Sequence, residues 1–140
     1  MIKIILTLML LLSTLAASQK AVFDCAAGNT KYVQSRMYLI EETAKELEMN
    51  ETPYEFVITI HSKCTPIVDK NDKDKHVQAI HKRLKTLTSD YNVKVKVCKI
   101  AADRFGYERS DIPSYIDIVQ NSITEVIKLQ NDGYAFIPYH

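Results

Sequence analysis

Apolar and polar positions change period along the chain in a way that alternates strand with helix. Beyond an N-terminal apolar segment, Ala21 to Cys25 reads as a short strand, followed by the turn residues Gly28 and Asn29. Val33, Met37, Ile40, Ala44 and Leu47 then recur at spacings of four and three, which lines one side of a helix ending near Asn50. Pro53 blocks continuation, and Tyr54 to His61 is rich in the branched and aromatic residues that suit a strand. Lys63 to Lys75 is polar, contains Pro66 and reads as a loop, with Asp72 or Asp74 as the cap of a second helix striped by Val77, Ile80, Leu84 and Leu87.

Val93 to Cys98 alternates valine with lysine until a cysteine replaces the lysine, so one face of this third strand is partly wet or meets a partner. A short helix follows to about Phe105, with Gly106 to close it. Tyr115 to Val119 is a fourth strand. Ser122 and Glu125 form a capping-box pattern ahead of Ile123, Val126, Ile127 and Gln130, Gly133 ends that helix, and Tyr134 to Pro138 is the last strand. Alternation with short connections implies parallel strands, because parallel neighbours need a crossover and a helix is the usual one. The expected fold is a three-layer α/β sandwich around a five-stranded, mainly parallel sheet of flavodoxin-like topology. Ligands of such sheets bind outside the carboxyl ends of the strands. Cys25, Cys64 and Cys98 all fall at or just after a strand end, which places three thiols along that edge.

The N-terminal segment changes the setting. A basic start at Lys3, an apolar run from Ile4 to Leu12 and the small residues through Ser18 have the form of a secretory signal, giving a leader over 1–18 and one domain over 19–140. The apolar run is short for a membrane span, so no stable membrane insertion is expected after cleavage, and the protein is expected to be periplasmic or secreted. The leader takes Lys3 with it and leaves 17 basic against 17 acidic residues. A neutral domain argues against a nucleic-acid surface. Three cysteines are an odd number for an oxidising compartment, so at least one is free, liganded, modified or joined to another chain.

Candidate chemistry centres on Cys98. It sits where strand gives way to helix, so unpaired backbone N–H groups and the positive end of the helix dipole face its side chain, and Lys99 and Arg104 add charge. These features favour thiolate over thiol. Cys25, Cys64 and His61 are auxiliary candidates. Two other readings stay open: a structural or redox disulfide between two of the three cysteines, with Cys64–Cys98 or Cys25–Cys98 as the favoured pairings if their strands adjoin, or a soft metal site formed by His61, Cys64, Cys25 and Cys98, suited to Zn or Cu(I). The sequence carries no nucleotide loop, serine triad or paired catalytic carboxylates, and no cofactor is expected.

Val97 to Gly106, reading VCKIAADRFG, resembles the cysteine motif of the DsrE/TusD-type sulfur relay proteins within the DsrE/DsrF-like family. Ile118 to Pro138 is similar to the wider family pattern, in which a helix ending in leucine-glutamine leads through glycine-tyrosine into the last strand. Val57 to Ser62 resembles the family's hydrophobic strand ending in histidine, where the family often has glycine at the position of Ser62. The resemblance implies a DsrE-like fold, assembly into homo-oligomers, and a cysteine that carries sulfane sulfur as a persulfide. Carried over, Cys98 is the sulfur carrier, and Arg104 and Gly106 match the residues after it. The implied partners are sulfur donor and acceptor proteins or, outside the cytoplasm, inorganic polysulfide.

Overall fold

The alternation of strand and helix begins at Gln19 in the computed structural model, which describes residues 17–140; all but the last two residues of the expected leader lie outside the described residues. Strands β1 (Gln19–Cys25), β2 (Tyr54–Ile60), β3 (Val93–Cys98), β4 (Ile116–Val119) and β5 (Ala135–Tyr139) alternate with helices α1 (Thr30–Met49), α2 (Lys75–Asp90), α3 (Lys99–Arg104) and α4 (Ser122–Asn131). The five strands pair in parallel in the order β4-β3-β2-β1-β5. The α/β sandwich is as the sequence implied, but this order departs from the flavodoxin arrangement 2-1-3-4-5. Here β1 neighbours β2 and β5, and the chain reverses its direction of travel across the sheet between β4 and β5.

The period of two along each strand divides the sheet into two unequal faces. Phe23, Cys25, Phe56, Ile58, Ile60, Val93, Val95 and Val97 join the α1 stripe of Val33, Met37, Ile40 and Ala44 and the α2 stripe of Ile80, Leu84 and Leu87 in one large core. Each valine, leucine, isoleucine, phenylalanine and methionine among them contributes about 1.5–3 kcal/mol by leaving water. The opposite face is covered mainly by α4 and has a small apolar cluster of Val22, Val57 and Leu129. The lysines of β3 belong to this thinner side. Lys96 pairs with Glu125 of α4, while Lys94 is exposed.

Two local readings are corrected. The segment after His61 is not an open loop: Ser62–Val68 forms a 3-10 helix that returns over the end of β1. Asn121, rather than Ser122, caps α4, its side chain accepting the N–H of Ile123 at 3.0 Å. The α4 residues Ile123 and Ile127 are 67% and 54% exposed, because Ser122 and Leu129 face the sheet instead. Asp74 does cap α2, accepting from the N–H groups of His76 and Val77. Gly106 (φ +76°) and Gly133 (φ +90°) close α3 and α4 in the left-handed region that only glycine enters freely.

Candidate active site

The carboxyl ends of β1, β2 and β3 bring three groups together: Asp24, His61 and Cys98. Cys98 is the last residue of β3 and the N-cap of α3, and is 5% exposed. It shares strand parity with Lys94 and Lys96, so its side chain lies on the α4 side of the sheet. There its sulfur accepts the backbone N–H of Ser122, the first residue of α4, at 3.5 Å. Burial pushes the thiol pKa up, but the N–H of Ser122, the N–H of Ala101, the Ser122 hydroxyl and the N–H of Ile100 together outweigh it, and the pKa falls below its ordinary value of 9.0.

An open cleft of about 580 Å³ lies over this sulfur, bounded by His61 and Ser62 on one side, Ile100, Arg104 and Phe105 of α3 and its end on another, and Asn121 to Ile123 on the third. Arg104, matched by the family motif, lines this cleft. Lys99 does not. Its ammonium bonds Asp103, one turn on along the exposed side of α3, at 2.6 Å, which removes it from the anion-stabilising role expected of it.

His61 follows β2 and lines the same cleft as Cys98. Its Nε2 lies 2.9 Å from Oδ2 of Asp24, and its Nδ1 lies 2.9 Å from the hydroxyl oxygen of Ser62. Asp24 is 7% exposed and also accepts the Thr59 hydroxyl at 2.6 Å through Oδ1. Desolvation raises the Asp24 pKa, yet the hydrogen bonds from His61 and Thr59, and the charges of His61 and His140, hold it below its ordinary 3.8. An ionised carboxylate only accepts hydrogen bonds, so Nε2 carries a proton and donates it in a hydrogen bond to Asp24, and Nδ1 is left to face Ser62. Neither Asp24 nor Thr59 stood out in the sequence. The available signal was an acid inside the apolar run Ala21 to Cys25, where a buried charge requires a partner.

The other two cysteines are joined to each other. Cys25 and Cys64 form a disulfide with Cα atoms 5.8 Å apart, leaving Cys98 as the free thiol. Both expected pairings with Cys98 are thus corrected, and the reason is strand parity. Cys25 and Cys64 belong to the large core on the α1 and α2 side, whereas Cys98 faces α4. The metal reading is corrected with them, since two of its four ligands are consumed in the bridge. No group of three or more metal-ligating side chains converges among the described residues. The bridge has a positional consequence: it ties the residue after Asp24 to a residue three beyond His61. At the same place a Cβ on Gly28 would stand 3.1 Å from the Lys63 Cβ, so the turn after β1 and the 3-10 helix are pressed closely together.

The fold and site together define an α/β protein with a thiol of lowered pKa at the carboxyl end of a parallel sheet. The chain belongs to the DsrE/DsrF-like family, whose profile matches residues 20–139. An uncharacterized protein from Aquifex aeolicus (strain VF5) is 39% identical over 143 residues, which cover 98% of this chain and 63% of that protein. The chain thus spans less than two thirds of the length of that relative. Among solved structures, MTH1491 from Methanobacterium thermoautotrophicum, a protein of unknown function, superposes with a TM-score of 0.74 at 15% identity, covering 87% of this chain and 100% of that one. The ychN protein from E. coli does so with a TM-score of 0.59 at 15% identity, covering 86% and 99%. These two likenesses concern the fold.

Proposed function

We propose that this protein is an exported sulfur carrier that holds sulfane sulfur as a persulfide on Cys98. The observation that carries the reading is the free Cys98 thiol, with a pKa below its ordinary value, at the floor of a cleft in a chain of the DsrE/DsrF-like family. The Cys98 thiolate attacks the outer sulfur of a donor persulfide, R–S–SH. A new sulfur–sulfur bond forms, the donor's own bond breaks, and the electron pair leaves on R–S⁻. An acceptor thiolate later attacks the outer sulfur of Cys98–S–SH and restores the Cys98 thiolate. No net oxidant or reductant is consumed. Hydrogen-bond donation from Ser122 favours the anion at both ends of the cycle, and Arg104 supplies positive charge at the cleft wall.

Export rests on the form of the N-terminal segment and is supported by the Cys25–Cys64 bridge, since persistent disulfides belong to oxidising compartments. In that setting inorganic polysulfide is a suitable donor as well as a protein persulfide. Self-association, implied by the family resemblance, is supported by the exposed apolar residues Ile123, Ile127 and Phe136 beside the cleft. Incubation with polysulfide followed by transfer to an added thiol acceptor tests the carrier reading, with Cys98→Ser as the variant that must not transfer.

A further inference from the structure

The carrier cycle described above leaves a buried carboxylate, a histidine and a serine at the cleft without a task. Asp24, His61 and Ser62 form one hydrogen-bonded chain that runs from the interior to the cleft: Asp24 Oδ2 to His61 Nε2 at 2.9 Å, then His61 Nδ1 to Ser62 Oγ at 2.9 Å. Ser62 is exposed, and His61, Ser62 and Cys98 border the same space. Burying a carboxylate is costly unless it is paired and bonded, and here Thr59 holds Oδ1 of Asp24 while Oδ2 meets the His61 ring. Ser62 also holds a backbone φ of +50°, uncommon for a residue with a side chain, which keeps its hydroxyl beside Nδ1. A second constraint holds the chain in place, because the Cys25–Cys64 bridge flanks Asp24 on one side and His61 on the other.

We infer that this chain is the acid–base relay of sulfur transfer, with His61 as the proton store, Ser62 as its outlet at the cleft and Asp24 as the residue that positions the ring. The inference rests on the carrier reading and deepens it. Alkyl thiols are poor leaving groups as anions, so a donor such as an amino-acid persulfide needs a proton on its departing sulfur. In the loading step the Cys98 thiolate attacks the outer sulfur of R–S–SH, and the electron pair of the breaking bond passes to R–S. The Ser62 hydroxyl protonates R–S, and Ser62 is reprotonated from Nδ1–H of the His61 imidazolium. The products are Cys98–S–SH, R–SH and neutral His61. In the delivery step neutral His61 takes the proton of an acceptor thiol through Ser62, the acceptor thiolate removes the outer sulfur, and the Cys98 thiolate and the His61 imidazolium are both regenerated. The cycle closes on itself. Asp24 accepts from Nε2 in both states and carries the countercharge of the imidazolium. The substrate class is therefore the persulfide of an alkyl thiol.

The test compares two reactions of Cys98 that differ in their need for a proton. One is sulfur uptake from cysteine persulfide, and the other is attack on bis(carboxynitrophenyl) disulfide, whose aromatic thiolate leaves as a stable anion. His61→Gln is expected to slow uptake from cysteine persulfide at least about tenfold, with attack on the aromatic disulfide changed less than about threefold. Asp24→Asn is expected to show a smaller loss with the same selectivity, since the ring remains but is less firmly held. Equal losses on both reagents, which is what a merely structural role would give, overturn the relay, as does full uptake by His61→Gln. The aromatic disulfide also reports that Cys98 is intact in each variant. If wild type and Cys98→Ser take up sulfur equally, the carrier reading falls and the relay with it; if only wild type and His61→Gln match, the relay alone falls.

Discussion

The sulfur of Cys98 accepts the backbone N–H of Ser122 at 3.5 Å, joining the end of β3 to the first turn of α4. The contact crosses 24 residues of sequence and sets the charge state of the thiol from an element that does not carry it. The thiolate is thereby favoured although the residue is buried, a circumstance that by itself would make it inert. Because the donor is a main-chain group, its removal needs a proline rather than a side-chain truncation.

Ser122→Pro is therefore expected to raise the Cys98 pKa, and Ser122→Ala, which removes only the hydroxyl, to raise it less. Proline suits the first position of a helix, and Asn121 before it is already extended, at φ −146° and ψ 121°. The rate of iodoacetamide alkylation against pH reads this out. Reactivity of the wild type should rise through a midpoint below 9.0, and the midpoint should move upward in the order wild type, Ser122→Ala, Ser122→Pro.

Removing the bridge by Cys25→Ala with Cys64→Ala should lower unfolding free energy by about 2–4 kcal/mol, the usual range for a closed loop of this kind, here 39 residues apart in sequence. Urea denaturation measures it. Denatured, unreduced wild type should titrate as one thiol per chain. Three thiols would exclude the bridge.

Asp24 gives a pH dependence with a definite sign. Its folded pKa is held below 3.8, so its ionised form stabilises the native state above that value, and the contribution is lost as pH falls through the folded pKa. Asp24→Asn should cost about 1–3 kcal/mol at neutral pH, the penalty for disturbing a buried hydrogen-bonded group. The gap from wild type should narrow below pH 3.8. Denaturation midpoints across the acid range give the comparison.

Ser62→Gly separates backbone from side chain. At φ +50° glycine relieves a conformation that costs an L-residue about 1 kcal/mol, so stability should rise or hold. The substitution also removes the hydroxyl between His61 and the cleft. Uptake from an alkyl persulfide should fall while thermal stability does not, a combination that a damaged fold would not produce.

The exposed face of α4 and β5 yields a prediction about assembly. Ile127→Lys, at a side chain 54% exposed and outside the Cys98 cleft, should shift the protein toward monomer in sedimentation velocity without changing the reactivity of Cys98. An unchanged sedimentation profile would leave self-association through this face without support.

Much of this organisation was legible in the chain. The stripes of α1 and α2 were readable because both helices bury a full side against the sheet, so that Val77, Ile80, Leu84 and Leu87 are all buried at helical spacing. Cys98 was readable because a break in the valine–lysine alternation coincides with a strand end. The disulfide partner was not. Pairing depends on which face of which strand each cysteine occupies, and on the return of Ser62–Val68 over β1, which Pro66 and the charged run from Asp69 to Lys75 disguised as part of a loop. Asp24 was hidden for a related reason: a single acid in a short apolar strand reads as an outward position until His61 and Thr59 arrive from the neighbouring strand. The apolar spacing of α4 marks a helix but not its buried side, because the helix covers a half-open face: Ser122 and Leu129 are buried and Val126 packs against the small cluster, while Ile123 and Ile127 stay exposed.

The most direct test of the central claim is intact mass spectrometry, followed by peptide mapping under nonreducing conditions, after incubation with inorganic polysulfide. Wild type should gain the mass of one or more sulfur atoms on the peptide containing Cys98, with the Cys25–Cys64 bridge unchanged, and lose that mass when an acceptor thiol is added. Equal sulfur uptake by Cys98→Ser, or no uptake by wild type, would contradict it.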